Sequence, residues 1–495
     1  MPRRVSGFEF MLSPRNPKQP AYRWLCDSVR SQILAGRLRP GARLPATRDL
    51  AKQYRLARGT IVSAFEQLKG EGYVEGNVGS GTYVRRILPE ELLQLDLGAG
   101  APKLVPTAPP RAYSAFAKRV EAFSALQPRP TRAFRPNMPA LDLFPATLWA
   151  QITARRLRRA STNLLLGCDH LGYEPLRAVL ADYLATSRGV NCVPEQVVVV
   201  AGAQEALDLA ARLFLDPGDR VCLENPAYPG AARVFAAAGA KVATISMDGP
   251  RLRFNQPAFQ RLRLLYLTPG HQYPLGTTMT VARRLELLEW ARQSGALIFE
   301  DDYDSEYRYS GRPVPAMQGL DRSGLVLFAG SFSKVLFPSL RLGYLVVPPD
   351  MIPAFAAAKS ITTRHAPLLD QAVLCDFISE GHFARHLRRM REIYAERLSV
   401  LLESARDHLA GLLEISGVEA GLQTVGWLRE GLSEQSAAQA AAERSVEVTP
   451  LRACSFGRAP RAGLQLGFAA VDPREIRRGV RELALALSEL STRPR

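Results

Sequence analysis

The chain has 495 residues, 47% hydrophobic and 22% charged, a globular balance that excludes wholesale disorder and supplies more than one domain. No apolar run reaches the roughly 18 uninterrupted residues of a membrane span, and the first twenty residues put Pro and Arg where a signal peptide needs an apolar stretch, which predicts a cytoplasmic protein. Net charge is +17; residues 1–90 hold 16 basic and 7 acidic residues, against 48 and 40 in the other 405, so a short segment carries half the excess and suits a polyanionic partner.

The predicted elements begin with a helix from Ala21 to about Ala35, carrying Leu25, Val29, Ile33 and Leu34 on one face. Gly36 and the Arg39-Pro40-Gly41 turn end it. Thr47 is read as the N-cap of a second helix with Leu50, Ala51 and Tyr54, and a third runs from about Arg58 to Lys69 with Ile61, Val62, Phe65 and Leu68 inward. Gly70 and Gly72 stop it, and Tyr73-Val74, a Gly76–Gly81 turn and Tyr83-Val84 read as a hairpin. Two short helices followed by a glycine-tipped hairpin form a winged helix-turn-helix pattern, whose second helix enters the major groove. Arg48, Arg58 and Thr60 are the candidate DNA contacts, with Gly79 and Gly81 letting the wing backbone approach phosphate. The same pattern also fits a small helical protein-interaction domain.

Residues 86–132, with Pro-Thr-Ala-Pro-Pro and Pro-Arg-Pro, read as a linker with one short helix near 113–125. Beyond it, short apolar runs at Val197–Val200, Arg220–Leu223, Leu264–Leu267, Leu297–Phe299, Leu325–Phe328 and Tyr344–Val347 alternate with amphipathic helix patterns, which predicts an α/β domain around a mostly parallel sheet. After about residue 350 a smaller, helical then mixed, lobe follows. Domain limits are therefore 20–85, a linker 86–132, 133–350 and 351–495.

Four segments at predicted strand ends carry chemistry. Ser331-Phe332-Ser333-Lys334 offers an amine that can condense with an aldehyde once desolvated, and Arg341 with the two serines can hold phosphate. Asp301-Asp302-Tyr303 places carboxylates where open α/β sheets keep their sites; a carboxylate there keeps a pyridine nitrogen protonated, and a Tyr two residues on can meet a phenolic oxygen. Gly202-Ala203-Gln204 opens a helix after a strand, an anion-binding arrangement, and Tyr228 offers a ring to stack. Each alone also fits an ordinary loop, acidic turn or core tyrosine; their coincidence points to a pyridoxal phosphate site. The six cysteines form no CxxC pair and read as reduced, mostly buried thiols.

Pro20–Val84 resembles the GntR-type winged helix domain, through Gly36-Arg37-Leu38, Pro40-Gly41, Arg48-Asp49-Leu50-Ala51, Thr60-Ile61-Val62, Ala64-Phe65-Glu66-Gln67-Leu68 and Gly79-Ser80-Gly81-Thr82-Tyr83-Val84. Ala46 stands where members often have Ser. From about Phe134 onward, Thr268–Gly276, Glu300–Tyr309, Gly330–Tyr344 and Pro367–Ala395 resemble fold type I aminotransferases, and the two-part order resembles the MocR/GabR-type regulators. The resemblance implies that Lys334 binds the cofactor aldehyde, that Asp301 pairs the pyridinium, that Tyr303 meets the phenolic oxygen and that Tyr228 stacks on the ring. It also implies that Ala203, Gln204, Ser331, Ser333 and Arg341 hold the phosphate, and that the chain is a homodimer.

Three departures stand out. Gly167–Leu171 replaces a Gly-Tyr-Gly-Asp-Pro-like stretch, Tyr273 precedes Pro274 where ordinary aminotransferases have Asn, and Gln465 occupies the place of the Arg that clamps a substrate carboxylate. Arg452, Arg458 and Arg461 are the candidate substitutes; His271 and His365 (the latter read as starting a long helix) are further candidates near the site. The expected function is a pyridoxal-phosphate-dependent transcription regulator that binds promoter DNA and senses the cofactor, an amine or an amino acid. The alternative is an active aminotransferase with an accessory DNA-binding domain.

Overall fold

The computed structural model describes residues 12, 15, 19–77, 81–86, 112–120, 130–246, 254, 259–311, 314–415, 418–456 and 461–492. Two units result, Met1–Arg111 and Ala112–Arg495. Among the described residues no helix is long and apolar enough to cross a membrane.

In the first unit, α1 (Ala21–Leu34), α2 (Thr47–Tyr54) and α3 (Arg58–Gly70) precede the antiparallel pair β1 (Val74–Asn77) and β2 (Gly81–Val84). Leu25, Val29 and Ile33 recur at helical spacing and are buried against Leu50, Ile61, Phe65 and Leu68. Two expected core residues, Leu34 and Val62, are exposed instead, and Ala64 takes the inward place on α3. The expected cap is also displaced: Ala46 is the N-cap of α2, without a side-chain hydrogen bond, and Thr47 is its first helical residue. Arg55, in the left-handed region at φ 52°, turns the chain between α2 and α3. Gly79 lies outside the described residues.

The second unit is built on a seven-stranded sheet: β3 (Val197–Val200), β4 (Arg220–Glu224), β5 (Lys241–Ile245), β6 (Leu262–Leu267), β7 (Leu297–Asp302), β8 (Val326–Ser331) and β9 (Gly343–Val346), in the order β3-β9-β8-β7-β6-β4-β5. Both neighbours of β9 pair with it antiparallel and the other pairs are parallel, so β3, β4, β6, β7 and β8 end on one edge. Helices cover both faces. Strand alternation sends Val198 and Val200 to the face packed by helices Ala203–Phe214 and Pro229–Ala238, and Val197 and Val199 to the other. β5 is absent from the sequence reading because Lys-Val-Ala-Thr-Ile is an edge strand with only Ile245 buried.

The C-terminal lobe pairs β10 (Leu413–Ile415), β11 (Gln423–Leu428), β12 (Thr449–Pro450) and β13 (Gly463–Gly467) in an antiparallel sheet of order β10-β11-β13-β12. The 27-residue helix His382–His408 packs on Pro473–Thr492 beside it. His365 starts no helix: it sits in the loop between Ile352–Thr362 and Leu368–Ser379, its Nδ1 2.8 Å from the Ala366 carbonyl. Ala133 and Phe134 bridge to Val446 and Gly467, so the stretch read as opening the large domain pairs with the C-terminal lobe.

Within the segment read as a linker, Ala115–Arg119 is a helix capped by Ser114 Oγ, which accepts from Ala117 N at 3.1 Å. It belongs to the second unit, where Arg119 Nε donates to the Ala237 carbonyl at 3.1 Å. Residues 87–111 and 121–129 lie outside the described residues.

Candidate functional site: a lysine-lined cavity and a basic winged helix

The strand ends that share one edge of the large sheet surround a cavity of about 300 Å³. Its lining brings together every residue expected at the cofactor site: Ala203, Gln204, Tyr228, Asp301, Tyr303, Ser331, Ser333, Lys334 and Arg341. Asn137, Gly202, Tyr266, Tyr273 and Pro338 complete it.

Lys334 follows the end of β8, and its amine donates to the Asn137 carbonyl at 2.8 Å. Burial pushes that amine down to about 8, against the opposing pull of Asp304 and Asp301. The amine is therefore neutral in a useful fraction near neutral pH, which a nucleophile requires.

The acidic run resolves by strand alternation. Glu300 turns away from the cavity and accepts from Met317 N and Gln318 N at 2.8 and 2.9 Å. Asp302 also turns away, and its carboxylate takes the Arg188 fork at 2.6 and 3.1 Å. Asp301 alone faces the cavity. The Tyr266 hydroxyl donates to its Oδ2 at 2.8 Å, while its buried Oδ1 has no hydrogen-bond partner among the described residues. Burial pushes the Asp301 carboxyl up to about 7.

At the opposite end, Gly202 adopts φ +113°, a conformation that favours glycine, beside the Arg341 guanidinium, which a side chain there would meet at van der Waals distance. It caps helix Ala203–Phe214, whose first N–H groups, those of Ala203 and Gln204, precede the first intrahelical hydrogen bond and carry the positive end of the helix dipole. Ser331 Oγ accepts from Ser333 N at 3.2 Å beside them. Gln204 Nε2 fixes the Tyr228 hydroxyl at 2.9 Å, and Tyr228, Tyr273 and Tyr303 follow edge to face with centroids 5.7 Å apart.

Behind the wall, His271 Nδ1 lies 2.8 Å from Asp304 Oδ1 and 3.0 Å from the Tyr303 hydroxyl. His271 thus holds Tyr303 and does not itself line the cavity. Sequence reasoning missed Asn137, which reaches Lys334 through its backbone carbonyl, and Tyr266, which lies inside a strand read as core; neither carries a side-chain signal.

In the first unit, Arg48 on α2 and Arg58 at the start of α3 are exposed and Thr60 is half-buried. Gly81 stands at φ +109° against the exposed Arg43, whose Nε would lie 2.9 Å from a side chain there. Arg43, placed on the wing by its bridge to Tyr83, is a cation that the sequence reading did not single out.

Comparison with known proteins matches residues 21–84 to the family described as bacterial regulatory proteins of the gntR family, and residues 139–483 to aminotransferase class I and II. The probable rhizopine catabolism regulatory protein MocR of Rhizobium meliloti is 40% identical over 481 residues, covering 97% of this chain and 96% of that protein. This chain is a GntR-family regulator of the MocR type. The HTH-type transcriptional regulator TauR of Rhodobacter capsulatus is 33% identical, over 97% of this chain and 98% of that protein. The solved structure of LysN, an α-aminoadipate aminotransferase of Thermus thermophilus complexed with N-(5'-phosphopyridoxyl)-L-leucine, superposes with a TM-score of 0.69 at 30% identity, over 77% of this chain and 98% of that chain.

The cavity of this GntR-family regulator fits pyridoxal phosphate chemically. An unpaired, buried carboxylate oxygen suits a pyridinium N–H, a desolvated lysine suits an aldehyde, and a helix N-terminus with two serines and an arginine suits a phosphate. Of the proposed substitutes for an effector-binding arginine, Arg452 and Arg461 do not line it. Arg461 pairs with Glu414 at 3.1 Å and lies over the Trp427 ring, Arg452 is exposed, and Arg458 lies outside the described residues. Among the described residues no cluster of His, Cys, Asp and Glu fits a metal ion.

Proposed function

We propose that this MocR-type regulator binds pyridoxal phosphate at Lys334 and uses its occupancy, or an amine or amino-acid effector that meets it there, to set promoter occupancy by the winged helix. The observation that carries the reading is the opposition of a desolvated Lys334 amine and an unpaired Asp301 oxygen in one cavity, in a chain whose other unit is a GntR-type DNA reader. When bound, the cofactor supplies an aldehyde and an electron-withdrawing ring. Lys334 holds the aldehyde carbon and can move a proton there. Asp301 accepts from the ring nitrogen, with Tyr266 keeping the carboxylate oriented. Tyr303, steadied by His271, donates to the ring oxygen. Tyr228 covers the ring face, and Ala203, Gln204, Ser331, Ser333 and Arg341 take the phosphate.

Residues 20–85 form the DNA-binding head, with Arg48, Arg58, Thr60 and Gly81 at DNA. Residues 86–132 connect it to the aminotransferase-like domain 133–350 and the lobe 351–495. A homodimer would present two heads to two half-sites, and the site of action is cytoplasmic. A second reading, aminotransferase turnover, draws on the same desolvated lysine and on the 32% identity to the 2-aminoadipate transaminase of Thermus thermophilus, over 72% of this chain and 90% of that protein.

The deciding experiment incubates wild type and Lys334→Ala with pyridoxal phosphate, records visible absorbance and measures promoter binding by gel shift. Visible absorbance in the wild type alone, together with promoter affinity that follows loading, supports the reading. A colourless wild type sinks it. Turnover of amino-acid and keto-acid pairs at enzyme rates favours the second reading.

A further inference from the structure

The turn that opens helix Ala203–Phe214 is tied down from behind by two residues that do not line the cavity, Glu205 and Lys359. Glu205 is the third residue of that helix. Its Oε2 accepts from Ala201 N at 2.5 Å, so the side chain folds back under the turn that it follows. Its Oε1 accepts from Lys359 Nζ at 2.7 Å and from the Thr363 hydroxyl at 2.8 Å. Lys359, in helix Ile352–Thr362, is fully buried, and its amine also donates to Thr363 Oγ1 at 3.0 Å. Burial disfavours the Glu205 charge, but Lys359 and the Ala201 N–H outweigh it and hold the carboxyl below its ordinary value. From the other side, Gly343 of β9 packs so closely that a side chain there would come within 3.0 Å of Gly202 Cα.

A carboxylate is an unfavourable neighbour for a phosphate. Glu205 directly follows Ala203 and Gln204, whose N–H groups precede the first intrahelical bond, and a phosphate monoester held there carries close to two negative charges near neutral pH. Little water separates them, so the repulsion is weakly screened. Glu205 alone would oppose the phosphate, or would take up a proton and weaken its grip on Ala201 N. The Lys359 ammonium cancels the charge and leaves both oxygens bonded. A buried ion pair adds little stability over an apolar pair of similar size; what this pair supplies is a braced turn with no net charge behind it.

We propose that Lys359 is a positioning residue for the cofactor's phosphate: acting through Glu205, it braces the turn 201–204 and neutralises the carboxylate that would otherwise oppose the phosphate. The proposal rests on the reading of the cavity as a pyridoxal phosphate site.

The test compares pyridoxal phosphate with pyridoxal, which differ only in the phosphate. Dissociation constants for the cofactor-free full chain are read from visible absorbance, and their ratio isolates what the phosphate contributes. Lys359→Met leaves the Glu205 charge unbalanced and should lower the preference for the phosphorylated aldehyde at least about tenfold, with pyridoxal binding little changed. Adding Glu205→Gln to Lys359→Met removes both charges and should recover most of that loss. Equal weakening of both aldehydes in Lys359→Met, the mark of a merely structural pair, overturns the proposal, as does a double variant no better than the single one. If Lys359→Met fails to fold, Glu205→Gln alone decides. It leaves the ammonium unopposed and should raise the preference at least about threefold; an unchanged or lowered preference overturns the proposal. A wild type that binds both aldehydes equally overturns it too. A wild type that stays colourless with both strikes the reading of the cavity itself, and is seen before any variant is measured.

Discussion

The Tyr266 hydroxyl donates to Asp301 Oδ2 at 2.8 Å, and the other oxygen of that carboxylate is buried without a hydrogen-bond partner among the described residues. Burial raises Asp301 from 3.8 to about 7, so in the cofactor-free chain the folded state holds a proton that the unfolded state releases between those values. The unfolded state binds fewer protons in that window, so this group's contribution to stability falls as pH rises from about 4 to about 7. Against Asp301→Asn, cofactor-free wild type should lose on the order of 4 kcal/mol at most across that range. Denaturant titrations at both ends check it; parallel pH profiles for the two proteins would contradict the assignment.

The Lys334 amine gives a second pH dependence. Its folded value is lowered to about 8, so it is mostly protonated below that pH and mostly neutral above it. The rate at which the cofactor-free chain captures pyridoxal phosphate should climb through about pH 8 and then level off. Stopped-flow absorbance reads this directly. A rate that keeps climbing toward pH 10 would show an amine of ordinary basicity.

Arg188 and Asp302 form a buried bidentate pair at 2.6 and 3.1 Å on the side of β7 away from the cavity. Removing one partner leaves the other charge unpaired in a desolvated place, so Arg188→Ala should destabilise the second unit by about 3–5 kcal/mol. Urea unfolding followed by tryptophan fluorescence tests this; a loss below about 1 kcal/mol would mean that water reaches Asp302.

Arg58 opens α3 with its side chain exposed. Arg58→Ala should weaken specific promoter binding by about 1–3 kcal/mol if it reads a base edge, or lower the salt slope by about 1 if it holds a phosphate. Gel shifts at several salt concentrations separate the two, and unchanged affinity throughout would take Arg58 out of the interface.

Much of this was legible in the sequence because buried parallel strands are written as uninterrupted apolar runs, and chemistry placed just after such a run lands on the sheet edge. Asp301 could be separated from its two acidic neighbours only once the pleat was known. Asn137 was not legible: it contributes a backbone carbonyl, from a segment paired with strands some three hundred residues later. Thr47 misled because capping propensity is a statistical preference, and here the extended residue before the helix is Ala46, with Thr47 already helical. Val62 misled because α3 has one inward face and Ala64 fills it beside Ile61 and Phe65. The pairing of Gln423 with Asn137 depends on strand register across the small sheet, which apolar periodicity does not encode.

The carbonyl that Lys334 grips belongs to Asn137, three residues beyond Phe134, which bridges to Gly467 as the chain comes from its N-terminal third. An amine committed to an aldehyde has fewer protons to offer that carbonyl. An aldehyde condensed on Lys334 would therefore loosen this strip of backbone, and amide exchange at Asn137 and Met138 should quicken on loading.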